Sequence, residues 1–420
     1  MTLSSSAARP FFGWHVVAAT FLLAVFGWGV GFYGPPVFLH AVVARTGWPV
    51  AMVSVAVTLH FLFGAWVVAN LPRLYRRFGV PVVTVTGAAL LAIGILGWAL
   101  AAQHWQLFLA ALASGAGWVA MGAAAVNALI APWFSQRRPA ALGMAYNGAS
   151  LGGVIFSPLW IALIKGIGFV PATLVIGGVM VVAVAALSVL VFRHTPESLG
   201  QNPDGAQRPR PQAVQAESPV RRSFLRDRKF LTLAVGMMLG LFAQIGLLAH
   251  LFSLLVPVLG EGLTGFAMGG ATVAAICGRA LVGWMMPASA DRRFVASASY
   301  GVQVIGSLLF ILAASDASLW LILGIALFGL GIGNATSLPP LIAQQEFSPA
   351  EVSRVVPLIV AIGQAGYAFA PAAFGLLRTG GGADASGSAP LFLCAAAIQL
   401  AAIGSLLLGR GQRPGCLDHA

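Results

Sequence analysis

An all-α membrane protein, with twelve spanning helices in two six-helix bundles, is the fold class this sequence predicts. Three observations carry that expectation. Of its 420 residues, 59% are hydrophobic and only 8% are charged, whereas a soluble domain carries about 25% charged residues. So few charges do not cover a globular surface. The apolar residues gather in runs of about 20 or more, each long enough to cross a bilayer as a helix. Barrel strands would alternate, and these runs do not. Finally, the basic residues follow loop parity, as described below.

In chain order the runs are approximately 13–35, 50–71, 81–102, 106–131, 140–164, 170–193, 230–258, 264–287, 295–314, 318–343, 353–377 and 389–409. The first is too long for a signal peptide and lacks a small-residue cleavage pattern, so it is read as a span. The one long polar segment is 194–229, rich in Pro, Gln, Arg and Ser. It has little to bury and is expected to be a mobile linker. The expected units are therefore 1–193, a six-helix bundle, 194–229, a cytoplasmic linker, and 230–420, a second bundle.

Orientation follows from the cations. With the N-terminus in the cytoplasm, nineteen of the 23 Lys and Arg residues fall in cytoplasmic loops, three (Arg45, Lys165, Arg378) fall outside, and Arg279 stays in the membrane. The positive-inside rule then puts both termini and the linker in the cytoplasm. The formal charge of +12 is thereby explained by topology, and no nucleic-acid partner is expected. The Ala, Gly and Arg bias suits a GC-rich genome, hence a bacterial inner membrane.

The two halves resemble each other. Gly153 and Pro158 in span 5 repeat the Gly-x4-Pro spacing of Gly366 and Pro371 in span 11. Gly115/Gly117 and Asn127 in span 4 match Gly329/Gly331 and Asn334 in span 10. Parallel repeats of this kind belong to transporters that bind substrate near the midplane, between the halves.

Arg279 is the sharpest candidate. It lies in an apolar run about 12 Å from the end at Pro287, at 1.5 Å per residue. A cation there costs at least ~2.5–3.5 kcal/mol on insertion scales, and such residues normally face a cavity or a partner. Its planar fork suits a carboxylate, and the spans hold no acid to neutralise it. The plainer alternative is snorkelling towards the cytoplasm or bonding to carbonyls.

Motifs agree with this. Twelve spans in a 6+6 arrangement around a basic linker resemble the major facilitator superfamily. The loop after span 2, Pro72-Arg-Leu-Tyr-Arg-Arg77-Phe-Gly79, keeps Arg77 and Gly79 of that superfamily's loop motif. Pro72 stands where Gly is usual and Arg76 where Asp is usual. Asp291-Arg292-Arg293 is the counterpart after span 8. The stretch Trp133-Phe-Ser-Gln-Arg137-Arg138-Pro-Ala-Ala141-Leu-Gly143-Met-Ala145-Tyr-Asn-Gly148 resembles the span 5 signature of monocarboxylate transporters and their oxalate/formate antiporter relatives. Gly13-Trp14 and Gly47-Trp48 are similar to span openings in that branch. The resemblance implies that Arg279 binds a substrate carboxylate. Proton-coupled members carry an Asp four residues before that Arg, where this chain has Ala275. They also carry a Lys near the outer end of span 1, which this chain lacks. Both departures point away from their proton-symport residues.

Further candidates follow from position. Gln364 and Tyr367 share a helix face, and with Asn334 they either line the cavity or bond neighbouring helices. Tyr33 sits near the outer end of span 1 as a substrate contact, a gate or part of the aromatic belt. His60 and His250 are candidates for proton coupling or for interhelical bonding. Arg77, Arg137, Arg138, Asp291 and Arg292 are candidates for gating at the cytoplasmic ends, with an Arg138–Asp291 contact as one form. Cys277, Cys394 and Cys416 have no metal or disulfide spacing, so no cofactor is expected. Neither a nucleophile–base set nor a phosphate loop points to an enzyme. The expected function is secondary active transport of a small organic anion, a mono- or dicarboxylate, by antiport or proton-linked transport, in a monomer. The alternative is proton-driven efflux of drug-like or amphipathic compounds, which usually employs a buried acid.

Overall fold

A computed structural model describes residues 10–135, 137–205, 224–287, 290–312, 318–379 and 389–410. Fourteen α-helices are named here: α1 Gly13–Gly31, α2 Gly34–Thr46, α3 Val50–Phe78, α4 Val80–Leu100, α5 His104–Met121, α6 Ala123–Ile130, α7 Arg138–Ile167, α8 Phe169–Leu187, α9 Arg228–Met285, α10 Arg292–Leu312, α11 Ser318–Glu346, α12 Pro349–Tyr367, α13 Ala370–Thr379 and α14 Ala389–Leu408. No strand occurs among the described residues.

Eleven apolar helical stretches are long enough to cross a membrane. One of them, α9, has 58 residues and would measure about 87 Å if straight, far more than a bilayer. It contains Pro257 and folds at Gly260, where φ is 72° and ψ is 164°. Only glycine holds that backbone without penalty. Both ends of α9 meet the end of α14: Arg228 Nη2 donates to Leu408 O at 2.7 Å, and Asp291, just past Met285, pairs with Arg410. The helix is therefore a hairpin of two crossings, which brings the total to twelve. Spans 7 and 8 were expected to be separated by a short loop; one glycine does the turning.

Three spans are longer and more broken than the runs implied. Span 1 is α1 plus α2, bent at Phe32 and Tyr33 and continuing to Thr46. Pro35 has no N–H to give Gly31 O, its i−4 acceptor, so the ladder fails there. Span 4 divides at Gly122 into α5 and α6. Span 11 divides at Ala368 and Phe369 into α12 and α13, beside Pro371.

The start of the linker is not free. Residues 197–205 form two short turns, and Gln201 Oε1 accepts the Phe12 N–H at 2.9 Å. Asp204 sits at φ 60° and donates its N–H to Trp133 O. Its carboxylate accepts the backbone N–H groups of Ser135 and Arg137. Its acceptors thus tie 194–205 to the first bundle, against the expectation of a mobile segment from 194. Residues 206–223 lie outside the described residues.

At the same end, the second bundle is held by Arg293. Its side chain is 2% exposed and forks onto Glu346, with Nε–Oε1 at 2.6 Å and Nη2–Oε2 at 2.8 Å. The remaining donors reach Thr232 Oγ1, Leu406 O and Lys229 O. One guanidinium thereby joins α9, α10, α11 and α14. Asp291 caps α10 by accepting the N–H groups of Arg293 and Phe294. Burial alone would raise its carboxyl, but those donors and Arg410 hold it below the usual carboxylate range.

Candidate functional site

The halves meet along two seams at the end of the molecule away from the linker. In one, α13 lies on α3. The N–H of Ala372, in the unpaired first turn of α13, donates to Thr58 Oγ1 at 3.0 Å. Gly375 comes so close to α3 that a Cβ there would lie 2.6 Å from Ser54 Oγ. In the other, Pro158 and Ile161 of α7 press on Gly265 of α9, and Val154 on Gly269. His40 of α2 lies 3.9 Å from Glu261 and stacks edge-on to Phe252.

Tyr33 and Arg279 stand where the second seam ends. The break between α1 and α2 swings Tyr33 across to α9, where its ring and the Thr272 methyl both close on Gly153 of α7. Its ring lies over Gly153, whose missing Cβ would sit 2.6 Å from the ring. Thr272 precedes Arg279 by seven residues, or two turns, so they share a face of α9. Arg279 is half-buried, about 9 Å from the helix end at Met285, and close enough to act electrostatically on the Tyr33 phenol. Its Nε donates to Gly333 O on α11 at 3.3 Å. Among the described residues no acidic side chain pairs with it. Nη1 and Nη2 are left as an end-on fork.

An aromatic chain runs from Tyr33 to span 11. Tyr33 meets Phe32, Phe32 meets Phe61, and Phe61 meets Tyr367 edge-to-face at 5.9 Å. Phe32 and Phe61 also rest on Trp118. The contact of Phe61 with Tyr367 crosses the halves, so Tyr367 belongs to the same wall. Gln364, one turn earlier on α12, is half-buried. Asn334 differs: it is 4% exposed, and its Nδ2 points at Gly278 O, 3.4 Å away, inside the second bundle. Of the two roles expected of it, that geometry is the bond to a neighbouring helix. Thr272, Phe32 and Phe61 went unnoticed in the sequence. The seven-residue spacing to Arg279 was a usable signal for Thr272, whereas the two phenylalanines were lost among 26 in the chain.

Both histidines are buried within their own bundles and serve the helix breaks. His60 Nε2 donates to Gly31 O at 2.9 Å, the carbonyl that Pro35 leaves without a donor. Its Nδ1 lies 2.8 Å from Ser114 Oγ, which also takes the Trp98 Nε1–H. His250 Nε2 donates to Pro371 O at 2.9 Å, just past the break in span 11. Its Nδ1 is buried without a partner.

The expected gating residues do not converge in this conformation. Asp291 is engaged by Arg410 at 2.6 Å and by the α10 cap, so the Arg138–Asp291 pair is not formed. Arg292 donates to Leu341 O within its own bundle. Arg77 lies over the Phe78 ring, Arg137 is exposed, and Arg138 begins α7. Among the described residues no group of three or more His, Cys, Asp or Glu gathers as for a metal.

Twelve crossings in two bundles that meet along two seams define the class of fold. The sequence profile of the Major Facilitator Superfamily matches residues 11–371, and the chain belongs to that superfamily. It is 27% identical over 356 residues to MFS-type transporter 1 of Ophiocordyceps sp., covering 80% of this chain and 72% of that protein. It is 29% identical to monocarboxylate transporter 13 of Bos taurus, over 65% of this chain and 61% of the bovine protein, so the match leaves more than a third of that relative uncovered. A shorter match, 31% identical over 33% of this chain and 28% of the relative, is to the aspyridones efflux protein of Emericella nidulans. A crystal structure of the nucleoside transporter NupG superposes with a TM-score of 0.73 at 12% identity, over 94% of this chain and 99% of that one. At that identity the likeness concerns fold.

Proposed function

We propose that the protein carries a small organic anion with a single carboxylate, and that Arg279 is its charge contact. The observation that carries this reading is the end-on Nη fork of Arg279, tethered at Nε and without an acid partner, beside the Tyr33 phenol. Uncompensated guanidinium in a low-dielectric site favours an anion arriving from outside the protein. The aromatic chain from Tyr33 to Tyr367 supplies an apolar wall for the rest of the molecule, with Gln364 and Tyr367 as orienting groups. Among the described residues no second cation joins Arg279: Arg45 is engaged by Trp98 O and Ala101 O and Arg378 by Ser253. A second carboxylate would stay uncompensated, so the reading narrows to monoanions. The bovine relative's name agrees with it.

The substrate passes by rocking of the halves, with the two seams as the closed gate. We place that gate on the outer face and the linker in the cytoplasm of a bacterial-type membrane, from the distribution of Arg and the composition. This conformation then opens inward. Exchange of one anion for another suits a site with no titratable carboxylate. If a proton is linked, His60 is the better carrier. A protonated Nδ1 can donate to Ser114 Oγ, which then turns its own proton to Ala111 O, 3.1 Å away. His250 has no acceptor for a second N–H. Efflux of amphipathic compounds is favoured only by the fungal efflux relative, and the site lacks the acid that cation efflux employs.

Counterflow in proteoliposomes tests the reading, with labelled lactate, pyruvate, propionate, formate, oxalate and aromatic acids. Wild-type protein exchanges a monocarboxylate, and folded Arg279→Ala does not. Movement of a cation or neutral solute, undiminished in Arg279→Ala, overturns it.

A further inference from the structure

Resting on the carboxylate reading of Arg279, the next question is what aims the guanidinium. Arg279 and Asn334 reach past each other between the same two dipeptides. Arg279 Nε donates to Gly333 O at 3.3 Å, while Asn334 Nδ2 donates to Gly278 O at 3.4 Å. Each side chain thus bonds the residue just before the other. The backbones approach closely here. A Cβ on Gly278 would lie 2.0 Å from Leu330 O, and one on Gly333 would lie 2.4 Å from Ala275 O.

Such a smooth contact has little side-chain relief to stop one helix sliding on the other. A slip by one residue along α11 moves Gly333 O by about 1.5 Å, which breaks the Nε bond. That carbonyl also accepts Ser337 Oγ at 3.0 Å, so Arg279 competes for it and depends on the register being held. Asn334 is 4% exposed and its free Oδ1 is buried. It borders a cavity of about 10 Å³ that also touches Tyr300 and Met237 inside the second bundle.

We propose that Asn334 is a positioning residue: it fixes the register of α9 on α11, aims the Nη fork of Arg279, and does not touch the substrate. Full-length protein in proteoliposomes is assayed by counterflow with L-lactate and with propionate, which share a carboxylate and differ in the hydroxyl. Asn334→Ala raises KM about tenfold for both acids alike, with the maximal rate within about twofold of wild type. A rise for lactate alone makes Asn334 a ligand of the hydroxyl and overturns the proposal. Unchanged KM for both acids, with Arg279→Ala silent, overturns it and leaves the carboxylate reading intact. Failure of wild type to exchange either acid removes both.

Asn334→Asp supplies a test within one folded sample. At about pH 5 the share of neutral acid, a donor to Gly278 O, is larger than at about pH 8, where the anion repels that carbonyl and draws Arg279 to itself. Its propionate KM relative to wild type at the same pH falls towards one on acidification. A ratio that stays flat with pH counts against the clasp.

Discussion

A buried cation in this chain is either satisfied by the protein or kept for something else, and two arginines illustrate the difference. Arg293 spends its donors on Glu346, Thr232, Lys229 and Leu406. Arg279 spends Nε alone. Glu346→Gln removes the charge opposite Arg293 and leaves a nearly buried cation unpaired, which typically costs ~3–5 kcal/mol. The detergent-solubilised variant is expected to melt well below wild type, and an unchanged melting temperature would show that the pair is not holding the bundle end. Arg279→Ala has the opposite signature: stability close to wild type, transport lost. From the sequence, Arg279 was legible because nothing around it was charged. Arg293 was not, since it stood in a run of loop charges, and only packing of four helix ends buries it.

At the scale of elements, the breaks in spans 1 and 11 decide where the site sits. Pro35 deprives Gly31 O of its helical donor, and His60 replaces it. The break lets the Tyr33 ring lie between Gly153 of α7 and Thr272 of α9. His60→Leu leaves that carbonyl buried and unpaired, at a cost of about 1–3 kcal/mol. Thermal unfolding of the variant measures the loss, and a His60→Gln variant, which restores a donor, recovers part of it. No loss in His60→Leu would mean that another donor serves Gly31 O. The prolines were visible in the sequence. Which carbonyl Pro35 orphaned, and that His60 came to it, was settled by residues 29 positions apart in the chain.

For the whole molecule, the rocking proposed above makes the closed seams one end state of the cycle. Thr58→Cys with Ala372→Cys places two thiols across the α3–α13 seam, where the Ala372 N–H already reaches Thr58 Oγ1 at 3.0 Å. Oxidation is expected to join the halves, stop exchange and leave the site reachable from the linker face alone, with reductant restoring transport. Cross-linking that leaves exchange unimpaired would show that this seam need not open.

The sequence by itself determined the membrane, the twelve crossings and the isolated cation. These depend on hydrophobicity, length and charge, which are summed along the chain and do not depend on fold. It also pointed to the superfamily through twelve spans in a 6+6 arrangement around a basic linker. Tertiary structure alone decided that Gly260 turns a 58-residue helix back on itself, and that Thr272, Phe32 and Phe61 join Tyr33 and Tyr367. It also turned Asn334 inward to hold α9 and gave His60 and His250 to backbone carbonyls. The physical reason is the same in each case. A polar side chain in a membrane bundle must find a partner, and which partner it finds is set by helices distant in sequence that small residues bring into contact.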